Sequence, residues 1–187
     1  MGNRWGHALY QEDVVYGAGL SLPWEKLRGK KLLVTGASGL IGSFFIDVVM
    51  EKNRELGLGC KVYGMGRDGE AARRRFSMYQ GSPWFDFLVH DINRPLEGVT
   101  DEEFGFIVHL ASNTHPVAYA QSPISTITTN MIGTNHLLRY GASHPGGRFV
   151  FASSNEIYGE NRGDVEFFDE SYCGYLDCNT LRGGYPE

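Results

Sequence analysis

A hydroxyl residue and a tyrosine near the end of the chain are the side chains best suited to chemistry. Ser154 comes directly after a predicted strand, and Tyr185 follows about one structural element later. This pair suits the interconversion of an alcohol and a ketone, in which a tyrosine phenolate takes the hydroxyl proton while a nicotinamide ring accepts the hydride. A phenolate near neutral pH requires a cation that lowers the pKa of the tyrosine. Taken singly, Ser154 is more typical of a strand-end cap and Tyr185 of an exposed terminal aromatic residue.

A glycine-rich segment predicts where a nucleotide would bind. It follows the β-prone run Leu32-Leu33-Val34 and opens an apolar, helix-like stretch. Gly36 permits a tight turn, Gly39 lets a pyrophosphate approach the backbone, and Gly42 lets the helix pack close to the strand. Free N–H groups and the positive end of the helix dipole then face the anion. The pyrophosphate and the neighbouring ribose are therefore expected on the whole segment, which also contains Ser38, Leu40 and Ile41.

The elements around these residues alternate between strand and helix. Strands are predicted at Lys31–Thr35, Cys60–Met65, Trp84–His90, Phe106–Leu110 and Arg148–Ala152. Helices are predicted at Leu40–Glu55, Asp68–Tyr79 and Ile124–Gly141, with a short turn near Val117–Gln121. Apolar strands separated by helices indicate an α/β fold, a doubly wound parallel sheet of the Rossmann type covered on both faces.

The chain divides into an extension and one domain. Residues 1–30 are predicted to be an N-terminal extension, in which Gly17, Gly19 and Pro23 break any long helix. Four apolar side chains of the extension could pack on the domain: Leu20, Leu22, Trp24 and Leu27. Residues 31–187 are predicted to form the dinucleotide-binding domain. This domain is expected to be incomplete, because the last strands of such a sheet and a C-terminal substrate domain would follow.

The end of the second strand bears on the choice of cofactor. In dinucleotide-binding sheets an acid there usually holds the adenosine ribose, whereas Gly66 stands at that position and Arg67 follows it. The missing carboxylate at Gly66, beside an arginine, suits a 2′-phosphate, so the cofactor is expected to be NAD or NADP with a slight preference for NADP. Two alternatives remain, since Arg67 could be merely exposed or stack on adenine, and Asp68 could be a shifted ribose ligand.

Two further strand ends carry candidate cofactor contacts. Asp91, followed by Ile92, could accept a hydrogen bond from the adenine amino group or could form a turn or helix cap. At the end of the fourth strand, small residues would let the nicotinamide half pass close to the backbone. These residues are Leu110, Ala111 and Ser112, preceded by His109. His90 and His109 lack partners at metal-ligand spacing, so structural roles are expected for them and no metal is predicted.

Composition excludes several classes of protein. With 42% hydrophobic and 21% charged residues the chain resembles an ordinary globular protein, and no apolar run is long enough for a membrane span. A net charge of −5 argues against a nucleic-acid groove, and the run Arg73-Arg74-Arg75 is expected to be a solvated helix face. Three cysteines without a C-x-x-C pair indicate a reduced, cytoplasmic protein.

Five ordered motifs carry a resemblance to a known superfamily. They are GASGLIG, HLAS, Asn130-Met131-Ile132-Gly133-Thr134, SSNEIYG and the terminal tyrosine. Together they resemble the extended short-chain dehydrogenase/reductases, which are nucleotide-sugar epimerases, dehydratases and decarboxylases. The resemblance covers residues 31–187, and within the superfamily the chain is most similar to the UDP-glucuronate decarboxylases. His90-Asp91, Pro95-Leu96 and Pro123 also match the decarboxylase pattern, whereas Asn113-Thr114-His115-Pro116 departs from it.

The resemblance implies roles for particular residues. Tyr185 would be the catalytic base, Ser154 would hydrogen-bond the 4-hydroxyl of the sugar, and Glu156 would position the substrate or a proton-relaying water. Asn130 would also contact the cofactor. In dehydratases the residue before this glutamate is an aspartate that protonates the leaving hydroxyl, and here it is Asn155. Decarboxylation is therefore favoured over loss of water, although Glu156 could also be a surface carboxylate in a loop.

The sequence leaves other functions open. A 4,6-dehydratase or 4-epimerase acting on a nucleotide sugar is the nearer alternative, and a non-catalytic dinucleotide-binding sensor is the alternative from another class. The expected partner is a nucleotide-sugar substrate, with neither nucleic acid nor membrane. The resemblance also implies a homodimer of the full-length protein, formed through the helix after the fourth strand and the tyrosine helix.

Overall fold

The computed structural model describes residues 4–112, 121–177 and 179, and a parallel β-sheet forms its centre. The strands are Lys31–Thr35 (β1), Lys61–Gly66 (β2), Phe85–Val89 (β3), Phe106–His109 (β4) and Arg148–Phe151 (β5). Within the described part the sheet has the order β3-β2-β1-β4-β5, and neighbouring strands are parallel. The predicted doubly wound fold is confirmed, and the predicted strands differ from these bounds by a residue at either end at most.

Helices cover the sheet on both faces. They are Ala8–Gly19 (α1), Leu40–Leu56 (α2), Gly69–Arg75 (α3), Pro123–Thr128 (α4) and Thr134–Ser143 (α5), with 3₁₀ turns at Arg4–Gly6, Trp24–Leu27, Ser77–Tyr79 and Asn155–Tyr158. The third helix ends at Arg75, earlier than predicted, and the long helix predicted after the fourth strand contains a π-helical turn at Thr129–Gly133. The predicted turn at Val117–Gln121 lies almost wholly outside the described residues. No helix in the described ranges has the length and apolar character of a membrane span.

The alternation of side chains along β1 separates two cores. Leu32 and Val34 point to one face, where they pack with Ile46 and Val49 of α2. Leu33 points to the opposite face, into a cluster that includes Leu137 and Tyr140 of α5. Because successive strand residues face opposite sides, one fully buried strand supports both helical layers.

The N-terminal extension contains a helix that the sequence did not predict. Glycines were expected to break it, yet α1 extends from Ala8 through Gly17 to Gly19. Gly17 allows close contact with α2, because a Cβ there would lie 3.0 Å from Cγ2 of Val48. Val14 and Ala18 are buried against the same valine, so tertiary packing outweighs the low helix propensity of glycine. Of the four apolar residues expected to pack, Trp24 and Leu27 do so, whereas Leu20 and Leu22 are exposed.

A buried carboxylate ties α1 to the domain. Asp47 of α2 is fully buried, and its oxygens accept hydrogen bonds from the hydroxyls of Tyr10 at 2.6 Å and Tyr79 at 2.8 Å. Arg75 forms an ion pair with the same carboxylate, and its guanidinium also donates to the Tyr10 hydroxyl at 2.7 Å. Burial beside Asp47 raises the pKa of Tyr79. The prediction that Arg75 belongs to a solvated face is therefore wrong, because Arg75 is buried in an ion pair with Asp47, 28 residues away in the sequence.

A second polar network joins the carboxyl ends of β1 and β4 to the start of α5. The hydroxyl of Thr35 accepts hydrogen bonds from the N–H groups of Leu110 and Ala111, each at 3.2 Å. Its own proton then points to Nδ1 of His109 at 2.7 Å. Nδ1 is thus an acceptor, and Nε2–H donates to the hydroxyl of Thr134 at 3.0 Å. The expectation that His109 is structural is confirmed, and the network assigns it one tautomer.

Burial of His109 disfavours the imidazolium form. Its side chain is 1% exposed, and burial lowers its pKa from 6.5 to about 4. A proton on Nδ1 would oppose the proton that Thr35 donates, so the network needs the neutral ring. Folding stability should therefore decrease as the pH falls from about 6.5 towards 4, since the unfolded chain gains a proton that the folded chain refuses.

We expect His109→Gln to reduce this acid sensitivity. Urea unfolding of the two proteins between pH 7 and pH 4 would measure the free energy of unfolding. The wild-type curve should be steeper, with a difference in slope that approaches about 1.4 kcal/mol per pH unit, because one fewer group protonates on unfolding of the variant. Carboxylates titrate in both proteins, so the difference isolates His109. Parallel curves would contradict a neutral buried ring.

Candidate active site

The glycine-rich segment after β1 forms a turn held by backbone contacts. Gly36 has a φ of +66°, and a Cβ there would lie 2.8 Å from the carbonyl group of Leu110. A Cβ at Gly42 would lie 2.5 Å from the carbonyl oxygen of Gly36. Side chains are therefore excluded at both positions, as the sequence predicted for a tight turn and close helix packing. At Gly39 the nearest contact is longer, 3.1 Å to the Gly36 oxygen.

The first turn of α2 fits a pyrophosphate. Gly39 is the N-cap residue and offers no side chain to the first N–H groups, and the first turn contains no acidic residue. Leu40 and Ile41 are 65% and 70% exposed, so two apolar side chains flank this helix end on the surface. Open N–H groups at the positive end of a 17-residue helix, without a competing carboxylate, can hold the phosphates of a dinucleotide.

The adenosine side of the predicted site lacks a ribose-binding acid at the end of β2. A Cβ at Gly66 would lie 3.3 Å from Cζ of Phe87 and 3.7 Å from the hydroxyl oxygen of Ser38. Asp68 is the N-cap of α3, and its Oδ1 accepts from the N–H groups of Glu70 and Ala71. Arg67 is exposed and forms no hydrogen bond or ion pair with the described residues.

The hydrogen bonds in the loop after β3 support the interpretation that Asp91 forms a turn. Its Oδ1 accepts from the N–H of Asn93 at 3.0 Å, and its carbonyl accepts from the N–H of Arg94 at 2.9 Å. The second carboxylate oxygen remains for a ligand. Ile92 is buried against Gly133, where a Cβ would lie 2.6 Å from the isoleucine Cδ1. Ile92 therefore fixes the π-helical turn to this loop.

An open pocket lies beyond the ends of β4 and β5. Its volume is about 390 Å³. The residues that line it are His109, Leu110, Ala111, Ser112, Ile127, Asn130, Met131, Thr134, Phe151, Ala152, Ser153, Ser154 and Ile157. The structure thus brings Leu110, Ala111, Ser112 and Asn130 together with Ser154 in one pocket. The glycine segment, Arg67, Asp91, Ile92 and Glu156 are not among the lining residues.

The π-helical turn presents Asn130 to the end of β4. The hydroxyl of Ser112 donates to Oδ1 of Asn130 at 2.8 Å. Three residues later Gly133 packs on Ile92, and Thr134 accepts from His109. A π-helical turn inside a helix is frequent at functional sites, and here one short segment reaches the loop after β3, the loop after β4 and His109 of β4 itself.

Ser154 caps the turn that follows β5. Its hydroxyl oxygen accepts from the N–H of Glu156 at 3.2 Å. Within the described part of the chain this hydroxyl donates to no acceptor, so its proton can reach a ligand in the pocket. Ser154 can therefore cap the turn with its oxygen and donate its proton to a ligand at the same time. Glu156 is half-buried on the same turn, and Tyr185 lies outside the described residues.

The walls of the pocket are uncharged among the described residues. No aspartate, glutamate, lysine or arginine lines it, and His109 is neutral at its base. The described ranges also contain no group of three His, Cys, Asp or Glu side chains that could hold a metal ion. The pocket can therefore orient a ligand through hydroxyl and amide groups and can exclude water with apolar side chains, without supplying a formal charge.

Two parts of the site were not predicted from the sequence. They are the apolar side chains that line the pocket and the buried Thr35, which joins the ends of β1 and β4. Ile127, Asn130, Met131 and Thr134 follow the spacing of one helix face, which could have identified Ile127 and Met131. Thr35 gave no such signal, because it is the last residue of a β-prone run and its partners lie more than 70 residues away.

Comparisons with known proteins agree with this architecture. Residues 32–185 match the NAD dependent epimerase/dehydratase family. A UDP-glucuronic acid decarboxylase from Arabidopsis thaliana is 32% identical over 157 residues, which are 84% of this chain and 42% of that protein. The chain thus spans about two-fifths of the length of this curated relative.

Two solved structures share the fold. A dTDP-glucose 4,6-dehydratase double mutant from Streptomyces venezuelae, with NAD and DAU bound, is 26% identical with a TM-score of 0.58, over 70% of this chain and 41% of that one. An epimerase from Methanothermobacter thermautotrophicus is 20% identical with a TM-score of 0.68, over 87% and 45%. The family match begins inside β1 and includes the whole carboxyl edge of the sheet, and the chain therefore belongs to the NAD-dependent epimerase/dehydratase family.

Proposed function

We propose that this chain forms the dinucleotide-binding part of a nucleotide-sugar enzyme of the UDP-glucuronate decarboxylase type. Such an enzyme oxidises C4 of the sugar, releases the C5 carboxylate as carbon dioxide, and reduces C4 again. The observation that carries the proposal is the position of Ser154, whose hydroxyl lines the same pocket as the Ser112–Asn130 pair. The similarity to UDP-glucuronic acid decarboxylases supports the choice of reaction.

The proposed chemistry begins at the sugar 4-hydroxyl. Tyr185 would take its proton, and Ser154 would orient it by a hydrogen bond. The nicotinamide would supply a reversible hydride acceptor. Once C4 is a ketone, the substrate is a β-keto acid. Its bond to the carboxyl carbon breaks, the electron pair moves towards the ketone oxygen, and carbon dioxide leaves. C5 then takes a proton, for which Glu156 would position the substrate or a relaying water.

The residues near Ser154 favour loss of carbon dioxide over loss of water. Elimination of a hydroxyl group requires a general acid, and Asn155 stands where dehydratases place an aspartate. No described residue that lines the pocket has a carboxyl group. Decarboxylation needs no such acid, because the ketone of the substrate accepts the electron pair.

The cofactor preference and the assembly are also part of the proposal. Gly66 supplies no acid and the Arg67 guanidinium pairs with none of the described residues, which favours NADP over NAD. A homodimer through the helix after β4 is supported by apolar side chains that are exposed there, including Ile124 at 79% and Ile132 at 45%. Cys60 and Cys173 are both free thiols, which suits a cytoplasmic location.

The reaction can be tested by product mass. The full-length protein would be incubated with NAD or NADP and a panel of nucleotide sugars, and mass spectrometry would follow each substrate. We expect UDP-glucuronate to lose the mass of carbon dioxide. Loss of water from a nucleotide hexose would instead identify a dehydratase, and an unchanged mass with an altered sugar configuration would identify a 4-epimerase.

Ser154 can be tested against its neighbour. We expect Ser154→Ala to lower kcat roughly 100-fold, because the 4-hydroxyl loses its orienting hydrogen bond. Ser153→Ala is the matched control, since Ser153 lines the same pocket without a proposed role. Steady-state kinetics would measure both, and Ser154→Thr should retain most of the activity. Equal effects of the two alanine substitutions would refute the assigned role.

Tyr185 separates an enzyme from a dinucleotide sensor. We expect Tyr185→Phe to abolish turnover while the dissociation constant for the dinucleotide changes by no more than about twofold, because the phenol acts on the substrate alone. Calorimetric titration and product analysis of the same samples would measure both properties. A wild-type protein that binds the dinucleotide and converts no sugar would favour the sensor.

A further inference from the structure

Thr134 lines the pocket about one helical turn after Asn130. It is the first residue of α5, directly after the π-helical turn, and its side chain is half-buried. Its hydroxyl oxygen accepts the Nε2–H of His109 at 3.0 Å. Within the described part of the chain this hydroxyl makes no other hydrogen bond, so its own proton can reach a ligand in the pocket.

A chain of hydrogen bonds that begins at Thr35 sets the direction in which Thr134 donates. Thr35 accepts two backbone N–H groups from the end of β4, so its proton goes to Nδ1 of His109. His109 then has only its Nε2 proton to donate, and Thr134 accepts it. Each donor in this chain therefore points from the buried edge of the sheet towards the pocket.

Burial keeps His109 in the form that this chain of hydrogen bonds needs. The side chain is 1% exposed, and burial lowers its pKa to about 4, so the ring is neutral near neutral pH. The other neutral tautomer would place a proton on Nδ1 against the proton of Thr35. It would also leave Nε2 as an acceptor, which would take the proton of Thr134. Only the tautomer with the proton on Nε2 leaves Thr134 free to donate to a ligand.

The surroundings of Thr134 suit a neutral ligand group that accepts a hydrogen bond. The described residues that line the pocket carry no formal charge, and Ile127 and Ile157 are among them. Oδ1 of Asn130 already accepts from the hydroxyl of Ser112. In such pockets a few placed polar groups orient a ligand among apolar side chains. An amide or hydroxyl oxygen can accept from Thr134 without the cost of burying a charge.

We infer that Thr134 is a ligand-binding residue that donates a hydrogen bond to a neutral acceptor oxygen, and that His109 is the positioning residue that keeps this proton available. The inference rests on the proposed function and adds a residue to its site. In that function the acceptor is the carboxamide oxygen of the nicotinamide or a hydroxyl oxygen of the sugar. Binding measurements with each ligand separate these two sources.

Thr134→Val tests the inference, because valine has a similar shape and lacks the hydroxyl. Calorimetric titration of the full-length protein would measure the dissociation constant of the dinucleotide, and that of the nucleotide sugar for the dinucleotide complex. One of the two constants should rise about fivefold, which corresponds to about 1 kcal/mol for one neutral hydrogen bond. Thr134→Ser should retain the wild-type affinity, since serine keeps the hydroxyl.

Ligand analogues identify the acceptor. If the nicotinamide accepts, Thr134→Val should weaken the binding of NAD+ and leave that of ADP-ribose, which lacks the nicotinamide, unchanged. The thionicotinamide analogue should then respond less than NAD+, because its sulfur is a weaker acceptor than oxygen. If the sugar accepts, the dinucleotide should bind equally to both proteins, and only the nucleotide sugar should bind more weakly to the variant.

The tautomer of His109 can be observed directly. In ¹⁵N NMR spectra of the imidazole near neutral pH, Nε2 should carry the proton and Nδ1 should not. A proton on Nδ1 would overturn the role assigned to His109, because the Thr134 proton would then be donated to the ring.

Thr126→Val is the matched control. Thr126 is a buried threonine of α4 whose hydroxyl donates to the carbonyl of Ser122 at 3.3 Å, and it is not among the residues that line the pocket. Urea unfolding of every variant would separate stability from binding, and the control should lose stability without a change in either dissociation constant. If Thr134→Val does not fold, Thr134→Ala replaces it, because the smaller side chain leaves room for a water beside His109.

The failure of this inference differs from the failure of the proposed function. Unchanged affinity of the variant for both ligands, while the wild type binds them, would overturn the inference alone. An equal loss of affinity for NAD+, ADP-ribose and the nucleotide sugar would show a structural role of Thr134 and would also overturn it. A wild-type protein that binds neither the dinucleotide nor a nucleotide sugar would remove the proposed function together with the inference.

Discussion

The hydroxyl of Thr35 holds together the edge of the sheet on which the site is built. It accepts two backbone N–H groups from the end of β4 and gives its proton to His109, so all of its hydrogen-bonding capacity is used inside the protein. Gly36 follows directly, and a Cβ there would lie 2.8 Å from the Leu110 carbonyl group, so the glycine turn lies close to a residue that lines the pocket. A valine at position 35 would fill similar space but would leave two buried N–H groups and one imidazole nitrogen without partners.

The buried ion pair on the other side of α2 has a different role. Desolvation of Asp47 and Arg75 is costly, and such pairs contribute little net stability compared with well-packed apolar residues. Loss of one partner, however, leaves an uncompensated charge in the interior. Tyr10 belongs to this arrangement although it lies outside the segment that matches the family. The charge cluster therefore favours this position of α1 on α2, because Tyr10 completes the set of partners that Tyr79 and Arg75 give the carboxylate.

Local patterns in the sequence explain what could be predicted and what could not. The glycines after β1 were identified because each answers a constraint within a few residues, a positive φ or a close helix contact. The bounds of β1 were predicted to the residue, because its apolar run is bordered by a polar residue and a glycine. Helix α1 was missed, since its stability depends on Val48 and Asp47 rather than on its own residues. The three arginines Arg73, Arg74 and Arg75 show the same limit, because their side chains are identical and only their partners differ. The partner of Arg75 lies 28 residues away, so the local sequence does not reveal that this arginine is buried.

The two parts of the proposed site offer different groups to a ligand, and this division favours the proposed reaction. The glycine turn proposed for the phosphates offers backbone groups, and the close approach of its backbone leaves no room for a Cβ at Gly36 or Gly42. The pocket uses neutral side chains and a hydroxyl with a proton to donate. A site that provides no general acid among its described walls suits a substrate whose own ketone accepts the electrons. In the proposed reaction the protein would need only to orient the sugar and keep water away, because oxidation at C4 would itself make the carboxylate labile.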